Sequence, residues 1–226
     1  MNPAVTRVFI VDDHPFVREW LANLLALEAD LGVVGQAEDP VQALAAMSAT
    51  PPDIAVVDLT LKKGSGLDLI KGLRVQAPSV AIVVLSMHEE LTDVERAFRA
   101  GASGYVMKHE STGQIVEAIR QVRAGRMFAN PATLAQLTAR LMGRAGRDAS
   151  APGEVLSDRE LEVFRRLGQG SSTREISEHL GVSLKTVQTY CARIKEKLGL
   201  DDGQELARVA FHWHEQGQRR GDINAV

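Results

Sequence analysis

The chain has 226 residues, a formal net charge of −3 and 24% charged residues, room for one large domain or two small ones. Its apolar runs fall well short of the roughly 20 residues that span a bilayer, and the start MNPAVTRVFIVDD carries no secretory-signal pattern. A lone cysteine, Cys191, excludes an internal disulfide framework and a cysteine metal cluster. The expected location is therefore the cytoplasm, with no membrane partner, and the near-neutral charge means that any nucleic-acid binding must show in local patterning.

From Arg7 to about Arg123, strand-like runs alternate with segments of helical period: RVFIV, LGVVGQ, DIAVVD, VAIVVLS and GYVMK. Continuous Val/Ile/Leu runs mark strands buried on both faces, and helices between them make the strands parallel with right-handed crossovers. The pattern predicts an α/β, flavodoxin-like domain built on a five-stranded parallel sheet, with its sites at the carboxyl ends of the strands. Asn130-Pro131 then opens a helix, ATLAQLTARLM, as cap and first-turn proline. GRAGRDASAPGE, residues 143–154, reads as a flexible linker. Beyond it Ser157-x-x-Glu160 and Ser172-x-x-Glu175 match capping boxes ahead of apolar helical runs, which predicts a small all-α domain. The expected divisions are 1–126, a linker helix and flexible linker over 127–153, and 154–226.

Asp12 and Asp13 end the first strand and Asp58 the third, and these strands are neighbours in the predicted order. Like charges so close repel unless a cation sits among them, and an all-oxygen set suits Mg²⁺. Ser86 ends the fourth strand and Lys108 the fifth, both suited to phosphoryl oxygens. A single strand-terminal aspartate is more often a cap or turn former. Acids, hydroxyl and lysine on four strand ends together describe phosphoryl transfer to Asp58.

Residues 7–123 resemble the receiver domain of bacterial two-component response regulators, through DD, VVDLTLKKGSG, VVLS and GYVMK in that order. The resemblance implies that Asp58 is the phosphoacceptor for a cognate sensor histidine kinase. It implies that Asp12, Asp13, Asp58 and the main chain of Thr60 hold Mg²⁺, that Lys108 pairs with the phosphoryl group, and that Ser86 and Tyr105 form the switch. Lys62-Lys63 departs from the pattern, since many members carry a proline there. These lysines are expected to be solvated, with attraction of an anionic phosphodonor as the functional alternative. Thr60 and His88 stand where members tune phosphoryl hydrolysis. Thr60 also stands where an aspartate-nucleophile phosphohydrolase needs a second acid, so the expectation is a phosphoacceptor with at most slow self-hydrolysis, not an enzyme.

In the tail, Ser183 caps a helix whose Val187, Tyr190, Cys191, Ile194 and Leu198 follow the 3.6-residue period. Lys185, Thr186, Gln188, Thr189 and Arg193 fall on the opposite side, a polar face suited to the major groove. Residues 155 to about 216 resemble the LuxR-type helix-turn-helix domain, on LSDRELEVF, STREISEHLGVS, KTVQTY and IKEKLG. The whole chain is similar to a NarL/FixJ-type response regulator, which implies regulation of transcription. Gln188 and Tyr190 stand where Lys and His are commoner, and Ala192 where another basic residue can occur.

Residues 154–226 carry 11 Lys/Arg against 12 Asp/Glu, yet residues 183–198 hold Lys185, Arg193, Lys195 and Lys197 against only Glu196. The resemblance implies double-stranded promoter DNA as partner, and so small a basic face implies that two copies are required, a homodimer when active. On the last helix Leu206, Val209, Ala210 and Trp213 read chiefly as core, with Leu206, Val209 and Trp213 as candidate dimer contacts. Cys191 reads as a small buried apolar residue.

Overall fold

A computed structural model describes residues 5–87, 91–142 and 151–223, in two compact units, Met1–Leu141 and Met142–Val226. The first unit contains β1 (Thr6–Val11), α1 (Pro15–Ala26), β2 (Leu31–Ala37), α2 (Pro40–Ala49), β3 (Ile54–Val57) and α3 (Gly66–Gln76). It continues with β4 (Ala81–Ser86), α4 (Leu91–Ala100), β5 (Gly104–Met107), α5 (Thr112–Arg123) and α6 (Pro131–Leu141). The strands form one parallel sheet in the order β2-β1-β3-β4-β5.

Alternation along the strands divides the core. Phe9, Val11, Ala55, Val57, Ile82 and Val84 point to the face that α2, α3 and α4 cover. Val8, Ile10, Ile54, Val56, Val83 and Leu85 point to the face covered by α1 and α5. Both faces are filled, which is why these strands read as unbroken apolar runs. Asp39 starts α2 by accepting the Val41 and Gln42 N–H groups on Oδ1, with Pro40 in the first turn.

After α5 the chain returns to the sheet. Phe128 bridges Gly104 in parallel, accepting the Tyr105 N–H at 2.8 Å and donating its own N–H to Ser103 O at 3.0 Å. Asn130 then caps α6, its Oδ1 accepting the Ala132 N–H. Ala129 joins the core cluster that contains Val94 and Ala97 of α4, and Leu134 packs against it. Residues 127–141, expected to begin a linker, thus pack within the first unit, while residues 143–150 lie outside the described residues.

The second unit comprises α7 (Pro152–Val155), α8 (Asp158–Gly168), α9 (Thr173–Leu180), α10 (Leu184–Leu198) and α11 (Gly203–Ile223). Both predicted capping boxes form: Glu160 accepts the Ser157 N–H at 2.8 Å, and Glu175 the Ser172 N–H at 2.7 Å. Gly181 and Gly199 adopt left-handed φ of 64° and 66°, letting Val182 and Leu200 N–H groups reach back to Ser177 O and Lys195 O. The core gathers around Phe164, Ile176, Val187, Ile194 and Ala210. Among the described residues no helix is long and apolar enough to cross a membrane.

Where α8 meets α11, a Cβ on Gly168 would lie 2.5 Å from Ala210 O. Gly168→Ala is therefore expected to destabilise the second unit by about 1–3 kcal/mol, the ordinary cost of overpacking. Thermal unfolding followed by Trp213 fluorescence in a Trp20→Phe background checks this, with Gly203→Ala of α11, which meets open space, as the tolerated comparison.

Candidate functional site

Parallel register sets Val11 beside Val57, so the next residues, Asp12 and Asp58, emerge together at the carboxyl edge. The Asp58 N–H donates to Val11 O at 2.8 Å and anchors the strand end. Two strands away, the Lys108 N–H donates to Ser86 O at 2.8 Å and fixes the base of the lysine. Its Nζ lies 2.6 Å from Asp58 Oδ2 and 2.7 Å from Asp12 Oδ2, bridging the two acids. The other Asp58 oxygen, Oδ1, accepts the Thr60 N–H at 3.1 Å.

Asp12, Asp13 and Asp58 are all buried, at 2%, 7% and 4% exposure. Burial pushes the Asp58 carboxyl up to about 6; Lys108 opposes that shift and Asp12 adds to it by repulsion. Burial would lower the Lys108 ammonium, but Asp58 and Asp12 hold it above its ordinary value. Asp13 Oδ1 is buried without a hydrogen bond. One atom from each of Asp12, Asp13, His14 and Asp58 fits within a span of 4.8 Å. Convergent buried carboxylates within reach of a single ion fit a hard divalent cation.

His14 was no part of the predicted site, although it stands in the same DDHP run. Its Nδ1 lies 3.3 Å from Asp12 Oδ1 and 3.1 Å from Asp13 Oδ1. Arg18 of α1 also emerges, donating to Asp12 O at 2.7 Å. Of the two lysines expected to be solvated, Lys62 places Nζ 3.4 Å from Asp13 Oδ2, whereas Lys63 is exposed and forms no ion pair among the described residues. Ser86 and Tyr105 are buried behind the acids, and His88 lies outside the described residues. The loop after Asp58 is tight: a Cβ on Gly66 would collide with the Asp58 carbonyl.

In the second unit, α9 and α10 form a helix-turn-helix around Gly181, with Ser183 Oγ accepting the Thr186 N–H at 3.1 Å. Val187 and Ile194 are buried, and Lys185, Gln188, Thr189 and Arg193 are exposed on the other side, with Thr186 half-buried. Thr189 Oγ1 donates to Lys185 O at 2.9 Å. Lys197, one of the four cations in this stretch, instead bonds the buried Glu160 at 2.6 Å. Burial would raise the Glu160 carboxyl, but bonds from Lys197 and Ser157 hold it below the usual range.

Leu206 is enclosed in the core of its own unit, and Val209 and Trp213 pack against that core. Trp213 lies 5.6 Å from the Phe164 ring and 5.6 Å from the Arg165 guanidinium. Phe211, absent from the predicted set, is 56% exposed on the same helix. Cys191 is half-buried, and burial pushes its thiol up.

Two family descriptions match the chain: response regulator receiver domain over residues 8–120, and bacterial regulatory proteins, luxR family, over residues 154–210. The DNA-binding transcriptional activator DevR/DosR of Mycobacterium tuberculosis is 34% identical over 206 residues, 91% of this chain and 94% of that protein. The transcriptional regulatory protein UhpA of Escherichia coli is 34% identical over 204 residues, 90% of this chain and 97% of that one. Among solved structures, two RcsB dimers bound to two parallel DNAs give a TM-score of 0.56 at 26% identity, covering 90% of this chain and 97% of that one.

Glu160 joins the start of α8 to the end of α10, so Glu160→Gln should destabilise the second unit by about 1–2 kcal/mol at neutral pH. Because the folded carboxyl sits below its unfolded value of about 4.3, this contribution is complete above that pH and is lost as pH falls through the folded value. Urea unfolding of wild type and variant at neutral pH and near pH 3 checks it: the gap should close in acid.

Proposed function

Because the chain belongs to the two-component response regulators that join a receiver domain to a LuxR-type DNA-binding domain, we propose that Asp58 is its phosphoacceptor, fed by a sensor histidine kinase in the cytoplasm. The observation that carries this reading is the buried Asp58 carboxylate, held between Lys108 and a second acid at a sheet edge. At neutral pH a carboxyl with a value of about 6 is mostly ionised and nucleophilic. An Asp58 oxygen attacks the phosphorus, the bond to the donor histidine nitrogen breaks, and that imidazole leaves with its electron pair and takes up a proton.

Lys108, already within hydrogen-bond distance of Asp58, turns to the new phosphoryl oxygens. Asp12, Asp13, Asp58 and the main chain of Thr60 would hold Mg²⁺, which would supply positive charge to offset the charge of the transferring phosphoryl group. Ser86 and Tyr105 behind the site sense the added charge, and the receiver surface responds. With Thr60 offering no carboxylate to activate water, loss of the phosphoryl group is slow self-hydrolysis.

In the second unit Lys185 and Arg193 meet DNA phosphates, and Thr186, Gln188 and Thr189 face base edges from the start of α10. With Lys197 bonded to Glu160, the cationic footprint of one copy is small, which favours binding as a homodimer on paired promoter half-sites; the RcsB dimers on DNA support this by similarity. The partly exposed edges of Val209 and Trp213 serve the dimer contact, with Leu206 fixing α11 from inside. The receiver is proposed to span residues 1–126, with the segment 127–141 packed onto it, and the DNA-binding domain residues 154–226.

Incubation with Mg²⁺ and a small acyl-phosphate donor should add one phosphoryl group to wild type and none to Asp58→Asn, read by intact mass, with a shift toward dimer on a sizing column. Unmodified wild type that is already dimeric would remove the proposal. On DNA, Lys185→Ala should weaken binding to most sequences and flatten its salt dependence, while Gln188→Ala should change base preference at about 1–3 kcal/mol per affected pair.

A further inference from the structure

Besides Lys108, the acidic site has a second lysine beside it. Lys108 reaches Asp58 and Asp12, which leaves Asp13 as the acid it does not bridge. Lys62 reaches that acid, with Nζ 3.4 Å from Asp13 Oδ2. The Lys62 side chain is 68% exposed while that of Asp13 is 4% exposed. A mobile charge therefore rests at the rim of a buried carboxylate. Lys62 stands in the turn between Asp58 and Gly66, two residues past Thr60. Lys63 beside it makes no ion pair among the described residues, so the contact belongs to position 62 rather than to a generally basic turn.

We propose that Lys62 is a built-in counter-cation that competes with the divalent ion for Asp13 and so sets the metal concentration at which this receiver can be loaded. The inference rests on the metal reading given above and adds a residue to it. Two cations that draw on one carboxylate oppose each other reciprocally: the lysine weakens metal binding by the factor by which bound metal weakens the lysine contact. Release needs only rotation of an exposed side chain, with no backbone movement. The effect has the size of an exposed ion pair, a factor of about two to five in metal affinity, and salt screens it.

The test is calorimetric titration of the full unphosphorylated chain with Mg²⁺ alone, for wild type, Lys62→Ala, Lys62→Gln, Lys63→Ala and Asp13→Asn, each checked for an unchanged thermal transition. Both Lys62 variants should bind Mg²⁺ about two- to fivefold more tightly than wild type at low salt, with the gap narrowing at high salt. Lys63→Ala should match wild type, and Asp13→Asn should lose most of its affinity. Equal affinity in wild type and both Lys62 variants, with Asp13→Asn still impaired, would overturn this inference and leave the metal reading standing. Equal gains from Lys62→Ala and Lys63→Ala would also overturn it, by showing a diffuse charge effect. Absence of Mg²⁺ binding to wild type would overturn the metal reading and this inference with it.

Discussion

Three carboxylates buried within a few ångströms of one another cannot all remain charged unless positive charge is brought to them, and the first unit is organised around that requirement. Parallel register delivers Asp12 and Asp58 side by side, and β5 lies far enough across the sheet for the full length of Lys108 to reach back to both. The Lys108 main chain is tied to Ser86 O, so the cation, the hydroxyl residue and β4 are linked by one bond. Removing the lysine would leave Asp58 and Asp12 facing each other in a low-dielectric site. In the proposed reaction the same lysine would turn to the new phosphoryl oxygens, and its bond to Ser86 O would link that local change in charge to β4.

The second unit uses a smaller version of the same principle. Glu160 is buried at the start of α8, satisfies the cap of that helix and holds Lys197 at the end of α10. The helix proposed to enter the groove is thereby fixed at its far end by an ion pair and at its near end by Ser183, while Lys185, Gln188 and Arg193 stay in solvent. Packing of Phe164 against Trp213, with Arg165 over the indole, fixes α11 against α8. Rigid support on the inner face leaves the outer face free for recognition.

The sheet was legible in the sequence because β1, β3 and β4 are buried on both faces and read as nearly unbroken apolar runs, whereas the edge strand β2 is partly exposed and carries Gly and Gln. The acid, hydroxyl and lysine positions were legible because they fall where those runs stop. The capping boxes were equally plain, since a cap is a local pattern of four residues. What escaped was tertiary: Lys197 counts as surface charge until Glu160, 37 residues earlier, is placed beside it. His14 and Arg18 became neighbours of the acids only through the turn into α1, and Lys62 only through the tight loop that Gly66 permits. Residues 127–141 read as the start of a linker because Phe128 gives no local sign of pairing with β5.

That pairing decides how the sheet meets its surroundings. An outermost strand with free N–H and C=O groups is a template on which another chain can continue the ladder. At β5, Phe128 already takes the Tyr105 N–H and donates to Ser103. At the opposite edge, the register of β2 shifts against β1 between Val8 and Phe9, and glycines stand at 32 and 35. One margin is closed by its own chain and the other broken by an irregularity. Growth of the sheet by strand addition is thus discouraged on both sides, which leaves the helix and loop surfaces as the faces on which the proposed dimer could form.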